Sequence, residues 1–228
     1  MNTKLLNKEE LAWSPIVANN SMNRERQAIG INSYEKDIGL NPLDFLLKNS
    51  SQEKVRWLDL CCGKGNALIQ TANILEEKGG SDQFELSGID LVDFFSDPAN
   101  LRIDFQVQNL ESWMPQKEYD LISIVHGLHY VGDKISLVER AISALSPQGL
   151  FIANLDLENI KIQAVNQPKK LLSSFFKKNK LEYNARKKII SSDKRKIDTS
   201  GFHYLGADDK AGPNYTGQEV VNSYYALK

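Results

Sequence analysis

Residues 55–66 read VRWLDLCCGKGN, and this stretch decides the fold. Its first half is a short apolar run that is typical of a buried strand. The run ends in a turn that holds Gly63 and Gly65, and apolar residues then recur at helical spacing over residues 66–78. Glycines between a strand and a helix let a ligand bind against backbone N–H groups at the helix N-terminus. The stretch therefore predicts a ligand-binding strand–turn–helix unit.

The alternation of strands and helices continues to residue 155. Apolar runs predict strands at residues 84–89, 103–107, 119–125 and 150–155, and helical spacing predicts a helix over residues 134–145. Strands that alternate with helices imply right-handed crossovers and a parallel sheet. We therefore predict an α/β fold with a doubly wound, Rossmann-like, mostly parallel sheet, helices on both faces and antiparallel last strands.

The regions on either side of this pattern differ from it. Residues 1–50 are polar and broken by prolines and glycines, which predicts an N-terminal helical lid. Residues 51–228 form the predicted domain. Its cofactor half covers residues 51–156, and its basic insertion and acceptor-side part cover residues 157–228.

Two late segments are predicted to complete the sheet. Residues 183–190 and 195–197 flank Ser191-Ser192-Asp193, a composition that suits a hairpin turn. The tail, residues 202–227, has strand-like ends around a glycine-bounded loop. We expect the tail to form an antiparallel pair at the end of the main sheet.

The overall composition excludes several classes of protein. The chain has 228 residues, of which 41% are hydrophobic and 25% charged, as in ordinary globular proteins. Its longest apolar run is shorter than the roughly 18 residues of a transmembrane helix, and its start has no signal-peptide core. The two cysteines are adjacent and cannot form a disulfide framework. We expect a cytoplasmic protein that does not bind membranes.

Charge is distributed unevenly along the chain. Residues 161–196 hold twelve Lys or Arg against two acidic residues, a local charge of +10, whereas the remainder holds 16 basic and 27 acidic residues. Such a segment can be a solvated surface, can bind RNA phosphates, or can dock an acidic small molecule, peptide or carrier protein.

Polar side chains follow the predicted strands where a nucleotide ligand would bind. Asp90 ends the second strand, and its carboxylate suits the hydroxyls of a ribose. Asn109 follows the third strand, and its amide suits an adenine edge. The dinucleotide fingerprint G-x-G-x-x-G fails, because Leu68 occupies the position of its third glycine. A nucleoside-type ligand other than NAD is therefore favoured.

Five motifs in order resemble the class I S-adenosylmethionine-dependent methyltransferases. They are LDLCCGKG at residues 58–65, GIDL at 88–91, QNLE at 108–111, YDLI at 119–122 and LSPQGL at 145–150. The resemblance implies S-adenosylmethionine as cofactor and S-adenosylhomocysteine as product. It differs at Cys61, where the family has a glycine, and at Asn109, where it usually has an acidic residue.

The resemblance also implies which residues contact the cofactor. Asp59 and the glycine turn would meet the methionine portion, Asp90 the ribose, and Asn109 with the Leu110 backbone the adenine. The full predicted cofactor-binding set is Asp59, Cys61, Cys62, Gly63, Gly65, Asp90, Leu91, Asn109, Leu110 and His126.

Two of the three histidines follow the fourth strand, close to the expected methyl group. His129 and His126 are the candidate catalytic residues, because imidazole titrates near neutral pH and can take a proton from a hydroxyl or amine. Either side chain can instead pack beside the cofactor, and a carboxylate acceptor would need no base. The paired acidic motifs of metal-dependent catechol-type enzymes are not matched, so we predict that no metal takes part.

Candidate acceptor and lid residues come from both ends of the chain. Tyr34 lies in the predicted lid together with Arg24 or Arg26, Tyr130 follows the histidines, and the tail loop offers Asp209, Asn214 and Tyr215. A surface helix packed through Tyr34 and a plain surface turn in the tail are the alternatives.

The sequence thus predicts methyl transfer to a small molecule or peptide-like metabolite, with O-methylation of a hydroxyl or carboxylate favoured. An acidic acceptor is one of the options. The region after the fourth strand lacks the Asn/Asp-Pro-Pro-aromatic run of enzymes that methylate base amines, so nucleic acid is not the predicted partner. The alternatives are an RNA methyltransferase that uses residues 161–196, or a cofactor-binding module without catalysis.

Overall fold

The computed structural model describes residues 4–18, 25–50 and 54–228. Their strands are β1 (Val55–Leu60), β2 (Phe84–Asp90), β3 (Ile103–Val107), β4 (Tyr119–Ile124), β5 (Leu145–Asn154), β6 (Ile160–Ile162), β7 (Glu182–Asn184), β8 (Ile189–Asp193), β9 (Phe202–Asp208) and β10 (Asn222–Leu227). Their α-helices are α1 (Lys8–Ala12), α2 (Tyr34–Ile38), α3 (Pro42–Lys48), α4 (Asn66–Glu77), α5 (Lys134–Ser143) and α6 (Pro168–Lys178).

Seven strands form the main sheet, in the order β3-β2-β1-β4-β5-β8-β7. The first five are parallel, β8 is antiparallel to β5, and β7 is antiparallel to β8. Buried apolar side chains form one cluster on each face of this sheet. The prediction of a doubly wound, mostly parallel α/β sheet is confirmed.

The last strands lie elsewhere than predicted. β10 pairs with β6 on one side and with β9 on the other in a separate three-stranded sheet, so the tail does not finish the main sheet. The β7–β8 hairpin finishes it, with its turn at residues 185–188, and Ser191-Ser192-Asp193 lies inside β8. The predicted turn at residues 191–193 was therefore wrong. The serines lie in a strand with neighbours on both sides, where the ladder satisfies their backbone groups.

The glycine turn is fixed by packing as well as by backbone conformation. Gly65 precedes α4 with φ 75°, and a Cβ on it would lie 2.3 Å from the Phe105 ring. A side chain at this position would meet both the left-handed backbone penalty and a clash with β3. The turn therefore holds α4 close to the sheet and places residues 61–65 at the carboxyl end of β1.

Short helices from the N-terminal part of the chain pack against the domain. Asn7 begins α1 with a capping box to Glu10, and Leu6 forms a β-bridge with Ala207 of β9. Ser33 begins α2, whose Tyr34 and Ile38 are buried in the same cluster as Trp57 of β1. The proposed boundary at residue 50 remains a prediction.

No helix within the described residues is long and apolar enough to cross a membrane.

Candidate active site

A cavity opens at the carboxyl ends of β1, β2 and β4. Its empty space, including open solvent at the mouth, is about 900 Å³. The lining residues are Leu11, Ala12, Val17, Arg26, Tyr34, Cys61, Cys62, Gly63, Asp90, Leu91, Asn109, Leu110, Glu111, Val125, His126, Gly127, Tyr130, Val131 and Gln218. Eight of the ten predicted cofactor-binding residues are among them, and Asp59 and Gly65 are not.

Asp90 connects the end of β2 to the glycine turn. Its Oδ2 accepts a hydrogen bond from the Gly63 N–H at 2.9 Å, and its Oδ1 accepts one from the Val92 N–H at 3.2 Å. Only 7% of the residue is exposed. Each carboxylate oxygen can accept a second hydrogen bond, so Asp90 can still bind hydroxyl groups of a ligand.

The loop after β3 forms the wall next to Asp90. Asn109 Oδ1 accepts a hydrogen bond from the Glu111 N–H at 2.9 Å, which fixes the amide side chain at the cavity. Glu111 also lines the cavity, although the sequence analysis did not single it out. Its Oε1 accepts N–H groups of Gly132 and Asp133, at 2.5 and 3.0 Å, and so ties this loop to the start of α5.

Cys61 and Gly127 are complementary in shape. Cys61 has φ 59°, a backbone conformation that favours glycine. Glycine is the residue at this position in the family that the sequence resembles. A Cβ on Gly127 would lie 2.3 Å from the Cys61 Cβ. The side chain of Cys61 thus fits because residue 127 is a glycine.

Asp59 lies behind the cavity wall rather than in it. The residue is fully buried, and its carboxylate accepts hydrogen bonds from Tyr34 Oη and Ser123 Oγ, both at 2.6 Å. Burial raises the pKa of Asp59 to about 7; the two hydrogen bonds lower it, and the charge of Asp90 raises it. Because Tyr34 lines the cavity, Asp59 acts here by holding that phenol in place.

His126 lines the cavity at the end of β4. Its Nε2 lies 3.3 Å from Asp37 Oδ2, which also accepts a hydrogen bond from Arg26 Nε at 2.5 Å. Burial raises the pKa of Asp37, but the hydrogen bonds from His126 and Arg26 outweigh it and hold this pKa below its usual value. An ionised Asp37 thus orients the imidazole.

His129 is placed differently from the predicted base. It is 2% exposed and does not line the cavity, and neither ring nitrogen has a hydrogen-bond partner among the described residues. Burial lowers the pKa of His129 to about 3, and the nearby His126 and Lys134 add to the shift. A base works best when its pKa is close to the working pH, so His129 is a poor candidate, whereas His126 lines the cavity.

We expect His129 to stay neutral in the folded protein at pH 5. An ordinary histidine with a pKa near 6.5 would be mostly protonated there, whereas burial lowers the pKa of His129 to about 3. Its imidazole resonances, identified by their loss in His129→Gln, should not shift between pH 8 and pH 5. A midpoint near pH 6.5 would contradict this.

The same shift makes His129 destabilising in acid. The unfolded chain protonates near pH 6.5, but the native chain protonates this side chain only near pH 3. The unfolded state therefore binds more protons between these values, and stability falls as the pH falls through that window. His129→Gln should lack this part of the pH dependence.

The predicted acceptor residues are only partly brought together. Tyr34 and Tyr130 line the cavity, and Tyr130 Oη donates to Gln218 Oε1 at 2.8 Å. The remaining three described candidates do not line it, and Arg24 lies outside the described residues. Those three are Asp209, Asn214 and Tyr215. Asp209 accepts a hydrogen bond from Ser14 Oγ at 2.7 Å, and Asn214 accepts hydrogen bonds within its own loop.

Tyr215 closes the space beside His129 from the solvent side. Its ring centroid lies 5.7 Å from that of His129 in an edge contact, and Lys188 Nζ lies 4.1 Å from the Tyr215 centroid. Lys188 is in turn bonded to Asp156 at 2.5 Å. The tail loop thus covers His129 at the carboxyl end of β4.

Several lining residues were not predicted. Leu11, Ala12 and Val17 form an apolar wall from the N-terminal segment, and Gln218 comes from the tail. Short-range patterns do not reveal such residues, because they join the cavity only through tertiary contacts. The described residues contain no group of three or more His, Cys, Asp and Glu side chains that could hold a metal ion.

Comparison with known protein families gives a match. The family described as a methyltransferase domain matches residues 33–182, which is 150 of the 228 residues. No curated protein matches the chain.

Two solved structures illustrate the partial structural matches. The plantazolicin methyltransferase BpumL in complex with SAH is 21% identical with a TM-score of 0.42, over 51% of this chain and 45% of that one. The SAM-bound amino pentose methyltransferase CalS10 from Micromonospora echinaspora is 15% identical with a TM-score of 0.39, over 50% and 47%. The chain thus matches about half the length of these structures.

Proposed function

The chain belongs to the methyltransferase domain family, and we propose that it transfers the methyl group of S-adenosylmethionine to a small molecule or peptide-like metabolite. The family match confirms the predicted methyltransferase family, and S-adenosylmethionine is the cofactor that the sequence resemblance implies. The acceptor and the acceptor atom belong to the proposal.

One observation carries the proposal: a single cavity has nucleoside-binding chemistry at one end and an oriented histidine at the other. Asp90 offers carboxylate oxygens to ribose hydroxyls, Asn109 offers an amide to adenine, and Leu91 and Leu110 offer apolar contact. The Gly63 turn lets a ligand approach the backbone closely. These groups fit S-adenosylmethionine.

When bound, S-adenosylmethionine supplies a methyl group that is already a good electrophile. The residues of this chain therefore have to orient the acceptor, exclude water and move a proton. Tyr34, held by Asp59, and the apolar wall from α1 enclose the cavity and limit its contact with water.

We propose that His126 is the base for a hydroxyl acceptor. Its Nε2 lies 3.3 Å from Asp37 Oδ2, and we place the proton of the neutral ring on this nitrogen, so that Nδ1 has the lone pair that can accept a proton. His126 Nδ1 would take the proton of the acceptor hydroxyl as its oxygen bonds to the methyl carbon. The bond from that carbon to sulfur would break at the same time and leave its electron pair on S-adenosylhomocysteine. A base held by a carboxylate is the usual arrangement for activating a weak nucleophile.

Three alternative functions have weaker support. A carboxylate acceptor would be ionised already and would use His126 only for positioning. An RNA methyltransferase would use exposed aromatic rings on which bases stack. The basic segment does not offer such a surface, because Phe175 packs on Phe202 and Phe176 packs on Tyr183. The intact His126–Asp37 pair argues against a cofactor-binding module that has lost catalysis.

Calorimetric titration with S-adenosylmethionine, S-adenosylhomocysteine and NAD tests the proposal. We expect micromolar binding of the first two ligands and none of NAD, since the cavity lacks the dinucleotide fingerprint. A screen of hydroxyl, carboxylate and amine acceptors then follows with the same protein. Binding of NAD in place of S-adenosylmethionine would contradict the assignment.

A further inference from the structure

A second, open groove lies on the other side of α2 from the cavity. Its lining residues are Ile38, Gly39, Ile152, Glu182, Tyr183, Asn184, Ala185, Lys187, Ile189 and Ser191. α2 separates the two spaces, because Tyr34 at its start lines the cavity and Ile38 at its end lines the groove. A chain bound in the groove would therefore lie beside the active site.

The groove runs from β5 across β8 to β7, the edge strand of the main sheet. β7 is the last strand of that sheet in the described part of the chain, so one side of its backbone has no neighbouring strand. β7 runs antiparallel to β8, and Asn184 pairs with Ile189, which pairs with Asn154 at the carboxyl end of β5. The β7–β8 turn is thus at the same sheet edge as the cavity.

Positive charge is concentrated at this edge. The turn carries Arg186 and Lys187, both exposed, and neither has an acidic partner among the residues that the structure describes. Lys180 precedes β7 and is also exposed. Lys188 differs, since it is bonded to Asp156. Glu182 is the one acidic side chain in the groove lining.

Charged side chains on an edge strand normally prevent it from pairing with another strand. Lysine and arginine have this effect on neutral or basic chains, but they attract an acidic one. An extended acidic peptide is thus a partner for which both the backbone and the charge of this edge are favourable.

RNA is a poorer fit to the same surface. Recognition of single-stranded RNA uses exposed aromatic rings on which bases stack. The aromatic residues of the basic segment are packed instead: Phe175 lies against Phe202, and Tyr183 lies against Phe176 while its Oη donates to the Leu155 carbonyl.

We propose that this groove binds an extended acidic segment of a peptide substrate, with Arg186 and Lys187 as its charge contacts. This rests on the proposed function, because it takes the acceptor to be peptide-like. The acidic segment would be a docking element that holds the peptide beside the cavity, separate from the residue that receives the methyl group.

Fluorescence anisotropy with a labelled peptide of alternating Glu and Thr residues tests the inference without cofactor or turnover. We expect binding that weakens when salt is raised from about 50 to about 200 mM, because the contacts are exposed charges. A peptide with Gln in place of Glu should bind at least fivefold more weakly.

Two variants of equal charge locate the site. Arg186→Gln with Lys187→Gln should weaken binding of the Glu peptide roughly fivefold or more. Lys170→Gln with Lys177→Gln is the matched control; both lie on α6, which packs over the sheet face that buries Ile190, opposite the face of Ile189. The control should leave binding within about twofold.

Three outcomes would overturn the inference. They are no binding of the Glu peptide at low salt, equal weakening by both pairs of substitutions, and binding of a single-stranded RNA of equal charge more tightly than the peptide. Failure of the cofactor titration with intact peptide binding would instead count against the proposed function alone.

Discussion

Replacing Asp90 with alanine is expected to weaken S-adenosylmethionine binding by roughly 10- to 100-fold, or about 1–3 kcal/mol. Asp90 is 7% exposed and lines the cavity where β2 ends. Its loss would leave ribose hydroxyls without a charged acceptor in a largely buried part of the cavity. It would also remove the acceptor of the Gly63 N–H, so the turn that faces the ligand would lose a hydrogen bond.

Calorimetry of three variants separates these effects. Asp90→Asn keeps an oxygen for the Gly63 N–H but loses the charge, so an intermediate loss of affinity is expected. Asp93→Ala removes an exposed carboxylate three residues away and should bind normally. Unchanged affinity of a folded Asp90→Ala protein would remove Asp90 from the cofactor site.

The parallel half of the fold was predictable because its information is local. β1 and β3 have the bounds expected from their apolar runs, and α4 ends one residue before its predicted end. β1 and α4 bury a continuous or periodic set of apolar residues, and glycines follow each of them, whereas β3 is only half-buried. The parallel arrangement of the strands followed from their alternation with helices.

The later strands were not predictable in the same way. Ser191-Ser192-Asp193 is polar and resembles a turn, but it lies in β8 because β5 pairs with all three residues and β7 pairs with Ser191. Whether β10 joins the main sheet or pairs with β6 is decided by contacts between segments far apart in sequence. No local pattern of the tail distinguishes these arrangements.

The candidate site also contains both residues that could be predicted from the sequence and residues that could not. Residues that follow strands, such as Asp90, Asn109 and His126, could be found from sequence because parallel strands end at one edge. Glu111 could not, since its role depends on the N–H groups before α5. The burial of His129 depends on Tyr215, more than eighty residues away in the chain.

The His126→Asn variant is expected to lower kcat at least about 100-fold for a hydroxyl acceptor, the usual effect of losing a general base. Asparagine is the suitable replacement because His126 has φ 59°, which asparagine tolerates better than alanine does. The backbone N–H of this residue donates to Asn154 Oδ1 at 3.1 Å, a bond that the substitution leaves in place. Loss of folding is therefore not expected.

Three measurements separate a base from a packing residue. In His126→Asn, the fall of kcat at low pH should disappear, and S-adenosylmethionine affinity should stay within about threefold of the wild type. Asp37→Asn should lower kcat less, because it removes the group that orients the imidazole but leaves the base. His129→Asn is the matched control and should retain most activity. A His126→Asn enzyme with normal kcat and pH profile would show that the acceptor reacts without a base, as a carboxylate does.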